Sequence, residues 1–308
     1  MSDDMKIVFM GTPDFSVPCL KALIEDGNEI KGVFTQPDKP RGRRGNQLLP
    51  SPVKAFAQEN DIKVYQPTTL RNGEAMEIIK ELEPEMIVVV AYGKILPKEI
   101  LDYPKYGCVN IHASLLPEYR GAAPIQQVLL DGRDKTGVTA MLMDVGLDTG
   151  DMLMRAETPV DENETIDELH DRLSQMGAEL IVKVVHDAEK GLLVREKQDD
   201  SRSSYVGMLT KDMMKMDFSR PAKELHDLVR ALSGTAFLDG KRVKIYRTLV
   251  RENKGEAGKI LSLNPFIVAC GEDSLEIIEI QPEGKKRMSA KDFANGLKNM
   301  GTKDLKFS

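Results

Sequence analysis

Residues Met86–Ala91 read Met-Ile-Val-Val-Val-Ala, a run without a polar side chain that stops at Tyr92-Gly93. A segment apolar on both of its alternating faces suits a strand covered on both sides, the situation inside a parallel sheet. Such a sheet needs helices on its two faces, and the first half of the chain supplies them. Met5–Met10 is a second apolar run, closed by Gly11, and Glu29–Phe34, Ile62–Val64, Val109–His112 and Val138–Met143 also have strand character. Between them, Val17, Leu20, Leu23 and Ile24 share one face of a helix capped by Asp14 or Ser16 and stopped by Gly27. Further helices are predicted over Val53–Glu59, about Gly73–Leu82, and Ile166–Glu189, the last between Thr165 as cap and Gly191 as stop. Thr35–Ser51, rich in Pro, Gly and Arg, is predicted to be a loop. Strands alternating with helices imply an α/β fold, a Rossmann-like, doubly wound parallel sheet.

The pattern changes after about residue 195. Gln198–Arg220 is polar and aperiodic and is read as a linker centred on 195–210, which divides the chain into domains at 1–200 and 201–308. Beyond it come a helix over about Ala222–Ala231 and strand-like runs Arg242–Tyr246, Lys259–Leu263, Phe266–Ala269 and Leu275–Ile280. Short strands with Gly-containing turns suggest a small, OB-like β-barrel. Charge follows the same division. The net charge of −6 argues against non-specific nucleic-acid binding by the whole chain. Residues 1–208 carry 24 Lys and Arg against 35 Asp and Glu, whereas residues 209–308 carry 19 against 14. The basic second part fits either a polyanionic partner or a solvated lysine-rich surface, and charge alone does not choose.

Several classes are disfavoured. No apolar run of about 18 residues exists, so no membrane span is expected. The N-terminus, with Asp3 and Asp4, has neither signal nor transit character, and a cytoplasmic location is expected. Cys19, Cys108 and Cys270 lack C-x-x-C spacing, and no H-x-x-x-H or H-E-x-x-H occurs, so no disulfide framework and no metal are expected. Cys108 is read as core rather than nucleophile, and His170, His186 and His226 as structural. Gly11-Thr12-Pro13 follows the first strand but is not G-x-G-x-x-G. Pro13 also lacks the N–H a pyrophosphate would use, which argues against a dinucleotide-dependent oxidoreductase.

Ligands of such sheets sit at the carboxyl ends of strands. That expectation places Gly11–Pro13, Tyr92-Gly93, Asn110–Pro117 and Asp144–Asp151 along one rim. Asn110 and His112 are two apart on a strand, so their side chains share a face. Gly146-Leu147-Asp148-Thr149-Gly150 then puts a carboxylate between glycines that let the backbone approach a ligand. An amide donor, an imidazole and a carboxylate suit acyl transfer to an amine: a donor for the developing oxyanion and groups to move the amine proton.

Asn110-Ile111-His112, Ser114-Leu115-Leu116-Pro117, Arg120-Gly121 and Leu147-Asp148-Thr149-Gly150-Asp151 together resemble the folate-dependent formyltransferases. Gly11–Phe15, Thr35–Pro40, Pro50–Lys54, Ala91–Gly93 and Gly121–Gln126 are similar to the branch that formylates initiator methionyl-tRNA. The resemblance implies that Asn110, His112 and Asp148 are catalytic, and that Ser114, Leu115, Leu116 and Pro117 bind the folate, with Val90, Ala91, Tyr92 and Gly93 lining the pterin pocket. It implies 10-formyltetrahydrofolate as formyl donor, initiator methionyl-tRNA as acceptor, and a monomeric enzyme. Arg41, Arg43 and Arg44 would meet the acceptor arm, and Lys241, Arg242, Lys285, Lys286 and Arg287 the tRNA phosphates. Where the family commonly has N-P-W-P-G, this chain has Ser233-Gly234-Thr235-Ala236-Phe237 and no Trp anywhere. Two other readings stay open: a formyltransferase for an amino sugar nucleotide or other small amine, and a non-catalytic tRNA- or folate-binding module.

Overall fold

The apolar run ending at Val90 becomes the middle strand of a seven-stranded sheet in the computed structural model, which describes residues 4–41, 47–299 and 305–308. The strands of this first part are β1 (Lys6–Gly11), β2 (Glu29–Phe34), a hairpin of β3 (Lys39–Arg41) and β4 (Gln47–Leu49), β5 (Val64–Tyr65), β6 (Met86–Val90), β7 (Cys108–His112), β8 (Arg120–Gly121), β9 (Lys135–Leu142), β10 (Met152–Pro159) and β11 (Tyr205–Val206). The large sheet has the order β10-β9-β7-β6-β1-β2-β5. Every residue of β6 is buried, as two covered faces require. Pairings of β1 with β2 and β6, of β2 with β5, and of β6 with β7 are parallel.

Two expectations need correction. β9 runs antiparallel to β7, with Val109 opposite Leu142 and His112 opposite Thr139. A parallel return requires a crossover that packs back on the sheet, and the connecting segment Ala122–Lys135, with its helix Pro124–Leu130, groups instead with the second compact unit. Thr35–Ser51 is not all loop, since Lys39 pairs with Leu49 and Pro40 with Leu48 in the β3–β4 hairpin.

Helices on the sheet have local causes. Ser51 accepts the N–H of Lys54 with its side chain and is followed by Pro52 at the first position of the helix Pro52–Glu59. Ile166–Glu189 begins with a reach-back: the Glu168 carboxylate accepts from the N–H and the hydroxyl of Thr165, each at 2.8 Å. Those bonds hold the Glu168 carboxyl below its ordinary range. The helix buries Leu169, Leu173, Ile181, Val184 and Val185, each worth about 1.5–3 kcal/mol of transfer free energy. Gly177 lets it approach β7, because a Cβ there would come within 2.9 Å of Ile111 Cγ2.

The chain forms two compact units, the first of Met1–Gly121, Thr136–Thr158 and His170–Tyr205, the second of Ala122–Lys135, Pro159–Leu169 and Val206–Ser308. The second unit carries β12 (Gly234–Leu238), β13 (Lys241–Arg251), β14 (Ile260–Leu263), β15 (Phe266–Ala269), β16 (Ser274–Pro282) and β17 (Met288–Ser289). They form an antiparallel sheet of order β12-β13-β16-β15-β14, with β17 on β16. Its two outer strands are joined by the end of the chain. Phe307 bridges Leu238 at the end of β12, and Lys306 bridges Lys259 beside β14, so the sheet closes on itself. Closure removes free strand edges. Gly258 permits it, because its φ is +83° and a Cβ would lie 2.4 Å from the Phe307 carbonyl oxygen. Inside, Phe307 packs on Phe218 and Phe266, with centroids 5.3 and 6.2 Å apart.

Candidate active site

β7 ends at His112, which is 6% exposed, with half-buried Asn110 two residues before it. His112 Nε2 lies 2.9 Å from the carbonyl oxygen of Tyr119. A carbonyl only accepts, so Nε2 carries a hydrogen and donates. Nδ1 is left for Asp148, whose Oδ2 is 3.7 Å away, outside hydrogen-bond range. The same Oδ2 accepts the backbone N–H of Gly121 at 2.8 Å. The three residues singled out in the sequence are therefore not equally free. The carboxylate is held from one side, and the imidazole keeps one nitrogen for chemistry.

Asp148 reaches this place by a route the sequence pattern does not reveal. Because β9 is antiparallel, it ends beside Cys108 and Val109 at the start of β7, not at the common carboxyl rim. The 143–151 loop carries the carboxylate to His112. It is built tightly. A Cβ on Gly150 would lie 1.8 Å from the Leu142 carbonyl oxygen, and one on Gly146 would lie 2.0 Å from Thr149 Oγ1. Asp144 Oδ1 accepts from Gly146 N–H at 2.8 Å and from Thr149 Oγ1 at 2.7 Å. Asp148 itself has φ +55°, a left-handed conformation a non-glycine residue adopts at a cost.

The expected folate residues lie at two strand ends. Ser114 is fully buried, donating its hydroxyl to Glu118 O at 2.7 Å while its own carbonyl accepts from Thr139 Oγ1 at 2.7 Å. Leu115 is half-buried, and Leu116 and Pro117 are buried around a cis peptide bond. After β6, Val90 and Tyr92 are buried while Ala91 and Gly93 are exposed. The carbonyls here are taken: Val90 O by Ser16 Oγ at 2.6 Å, and Tyr92 O by Thr12 Oγ1 at 3.0 Å. Gln36 Nε2 reaches both Tyr92 O (3.1 Å) and Gly93 O (3.0 Å).

A cavity of about 290 Å³ opens under the Asp148 loop. Leu101, Cys108, Leu142 and Met143 give it apolar walls, and Asp144 and Asp151 give it acidic edges. Neither Ser114–Pro117 nor Val90–Gly93 lines it, and apart from Cys108, read as core, sequence reasoning did not single out its walls. Burial, with the charge of Asp102 adding to it, pushes the Cys108 thiol up to about 12, which keeps it protonated and unreactive. A larger cavity of about 570 Å³ lies between the helices Val17–Glu25 and Ile166–Glu189, but it touches none of the candidate catalytic residues.

Sequence reasoning also missed what surrounds Arg120. This guanidinium is 1% exposed and bonds Gln198, Tyr205 and Asp200. Gln198 falls in the polar stretch read as linker, and no motif marks it.

The basic candidates are scattered. Arg41 ends β3, and Arg43 and Arg44 lie outside the described residues. Lys241 and Arg242 open β13, with Arg242 3.5 Å from Glu283. Lys285 and Lys286 are exposed between β16 and β17. Arg287 is engaged by Glu279 and stacks over the Tyr246 ring, 4.2 Å from its centroid. Among the described residues, no cluster of His, Cys, Asp and Glu is arranged to hold a metal, and no helix is long and apolar enough to cross a membrane.

An α/β unit with Asn, His and Asp around the end of β7, followed by a closed antiparallel sheet, is the architecture of a formyl-group transferase. The formyl transferase family matches residues 5–185, and the formyl transferase C-terminal domain matches residues 208–298; the chain belongs to this family. Within it, methionyl-tRNA formyltransferase of Citrifermentans bemidjiense is 49% identical over 300 residues, covering 96% of this chain and 94% of that protein. The same-named protein of Geotalea daltonii is also 49% identical, covering 96% of each. Among solved structures, an N-formyltransferase from Helicobacter canadensis in complex with folinic acid and dTDP-3-aminofucose superposes with a TM-score of 0.68 at 19% identity, covering 89% of this chain and 99% of that one. HypX from Aquifex aeolicus with tetrahydrofolic acid gives 0.63 at 13% identity, over 94% of this chain and 47% of that one. These distant likenesses establish the fold.

Proposed function

We propose that the chain transfers the formyl group of 10-formyltetrahydrofolate to the free amino group of initiator methionyl-tRNA, giving N-formylmethionyl-tRNA for translation initiation. The observation that carries the reaction is the pairing of His112 Nδ1 with Asp148 Oδ2 beside Asn110. The donor supplies an activated one-carbon acyl group, and the chain supplies everything else. The Asn110 amide donates to the formyl oxygen as it gains charge. His112, oriented by its bond to Tyr119, presents Nδ1 to the same centre. Asp148, fixed by Gly121 N–H, takes part in moving the proton from the attacking amine to the leaving folate nitrogen as the bond between that nitrogen and the formyl carbon breaks. The folate would be held by Ser114–Pro117 after β7 and by Val90–Gly93 at the end of β6, the segments the resemblance assigns to it.

The choice of acceptor rests on the 49% identity to the methionyl-tRNA formyltransferases over 96% of the chain, against 19% for the sugar enzyme. It is supported by the basic C-terminal stretch, residues 209–308, where exposed Lys285 and Lys286 would meet phosphates. The same reading has the chain acting as a monomer in the cytoplasm. Its test is transfer of labelled formyl from 10-formyltetrahydrofolate to initiator methionyl-tRNA, elongator methionyl-tRNA and a dTDP-amino sugar in parallel. Rapid formylation of the initiator alone is expected. Turnover of the amino sugar with none of the tRNAs would transfer the assignment to the small-amine branch.

A further inference from the structure

We propose that Gln198 is a positioning residue for Asp148, tying the loop that bears this carboxylate to the buried Arg120 guanidinium. The inference rests on the reading of Asp148 as a catalytic group. Arg120 donates from Nε at 3.0 Å and from Nη2 at 2.8 Å to Gln198 Oε1. Its remaining bonds go to Tyr205 Oη at 2.9 Å and Asp200 Oδ1 at 2.7 Å. At its other end, the Gln198 amide donates from Nε2 to the carbonyl oxygens of Asp148 at 2.8 Å and Gly150 at 2.7 Å. A side-chain amide accepts at one atom and donates twice from the next, so it can couple a donor-only guanidinium to two acceptor-only carbonyls. The network also settles which atom is which, because a flipped amide would set NH₂ against the guanidinium and oxygen against two carbonyls.

The loop needs such a clamp. Asp148 is held at φ +55°, and a non-glycine residue stays there only where its surroundings over-determine it. Two restraints meet on this one residue. Gly121 N–H fixes its carboxylate, and Gln198 fixes its carbonyl. Since Arg120 and Gly121 are consecutive, one dipeptide governs both ends of Asp148: Gly121 directly, and Arg120 through Gln198. The gap of 3.7 Å between Oδ2 and His112 Nδ1 is therefore set partly from outside the reacting groups.

Two substitutions separate positioning from mere satisfaction of a buried cation. Gln198→Glu keeps an acceptor for Arg120 and loses the two N–H donors to the loop. Gln198→Met removes both halves at similar size. The measurements are kcat, KM for each substrate, and Tm, with Asp148→Asn as reference. A positioning role predicts that Gln198→Glu lowers kcat about 10- to 100-fold, the scale of ångström misplacement. Tm should fall less than in Gln198→Met, because the carboxylate keeps Arg120 paired although its second oxygen meets the two loop carbonyls. The KM for methionyl-tRNA should stay near wild type. Gln198→Met should lose as much kcat and lower Tm as well. Wild-type kcat in Gln198→Glu, with Asp148→Asn inactive, would overturn the proposal and leave Gln198 as a partner of Arg120 only. Wild-type kcat in Asp148→Asn would instead remove the underlying reading of Asp148.

Discussion

His112 in the first unit and His226 in the second are both buried, and both donate from Nε2 to a backbone carbonyl: Tyr119 O at 2.9 Å and Glu162 O at 3.0 Å. They differ at the other nitrogen. His226 Nδ1 sits 3.0 Å from the Thr248 hydroxyl, which can donate to it, so the neutral ring is satisfied at both ends. Burial accordingly holds the His226 pKa below its ordinary value. His112 Nδ1 faces a carboxylate across 3.7 Å, close enough for charge to act and too far for a bond. The buried arginines repeat the contrast. Arg230 is closed by Asp227 at 2.7 Å within one helix, whereas Arg120 passes its hold through Gln198 to the loop that carries Asp148. A finished polar network stabilises, and one left open at an atom can do chemistry.

The largest expected effect breaks the pair of histidines apart. His112→Gln and Asp148→Asn should each lower kcat about 10²- to 10⁴-fold, the range for a lost acid–base group, with little change in Tm. His226→Gln should leave kcat near wild type and cost about 1–3 kcal/mol of stability, measured by denaturant unfolding. Arg230→Met is next. It strands the buried Asp227 with Lys223 as its remaining cation and should destabilise the second unit by about 3–5 kcal/mol. Gly258→Ala, which forces a Cβ onto the Phe307 carbonyl at a left-handed position, should cost more than about 1 kcal/mol in the same assay.

How much of this contrast is legible in the sequence varies from residue to residue. The bounds of Glu29–Phe34 and Ile166–Glu189 follow from apolar periodicity and agree with the structure to the residue. The direction of β9 does not follow, because a strand pattern has period two whichever way it runs. The helix Pro124–Leu130 was missed because seven residues hold too few turns for a periodic signal. In the site, Asn110, His112 and Asp148 stand out by residue type and spacing, but the partners that fix them do not. Tyr119 O and Gly121 N–H are backbone groups that any residue would supply, and Gln198 sits in a polar stretch that reads as solvated.

Two smaller effects sharpen the comparison. For His226 the sign follows from its depressed pKa in the fold: the unfolded chain binds the proton more readily below about pH 6.5. Stability should therefore be complete above that pH and decline as pH falls, by up to about 1.4 kcal/mol per pH unit. Unfolding of the His226→Gln variant should lack this component, and an unchanged slope would place the titration elsewhere. Lys285→Ala and Lys286→Ala should weaken methionyl-tRNA binding only several-fold. Each should flatten the salt dependence by about one unit of slope, and kcat should hold.

Single-turnover formyl transfer to initiator methionyl-tRNA, run side by side on wild type, His112→Gln and His226→Gln at a temperature where all three are folded, tests the central claim most directly. The account predicts a step at least about 100-fold slower for His112→Gln and an unchanged step for His226→Gln. A wild-type rate in His112→Gln, or equal losses in both variants, would contradict it.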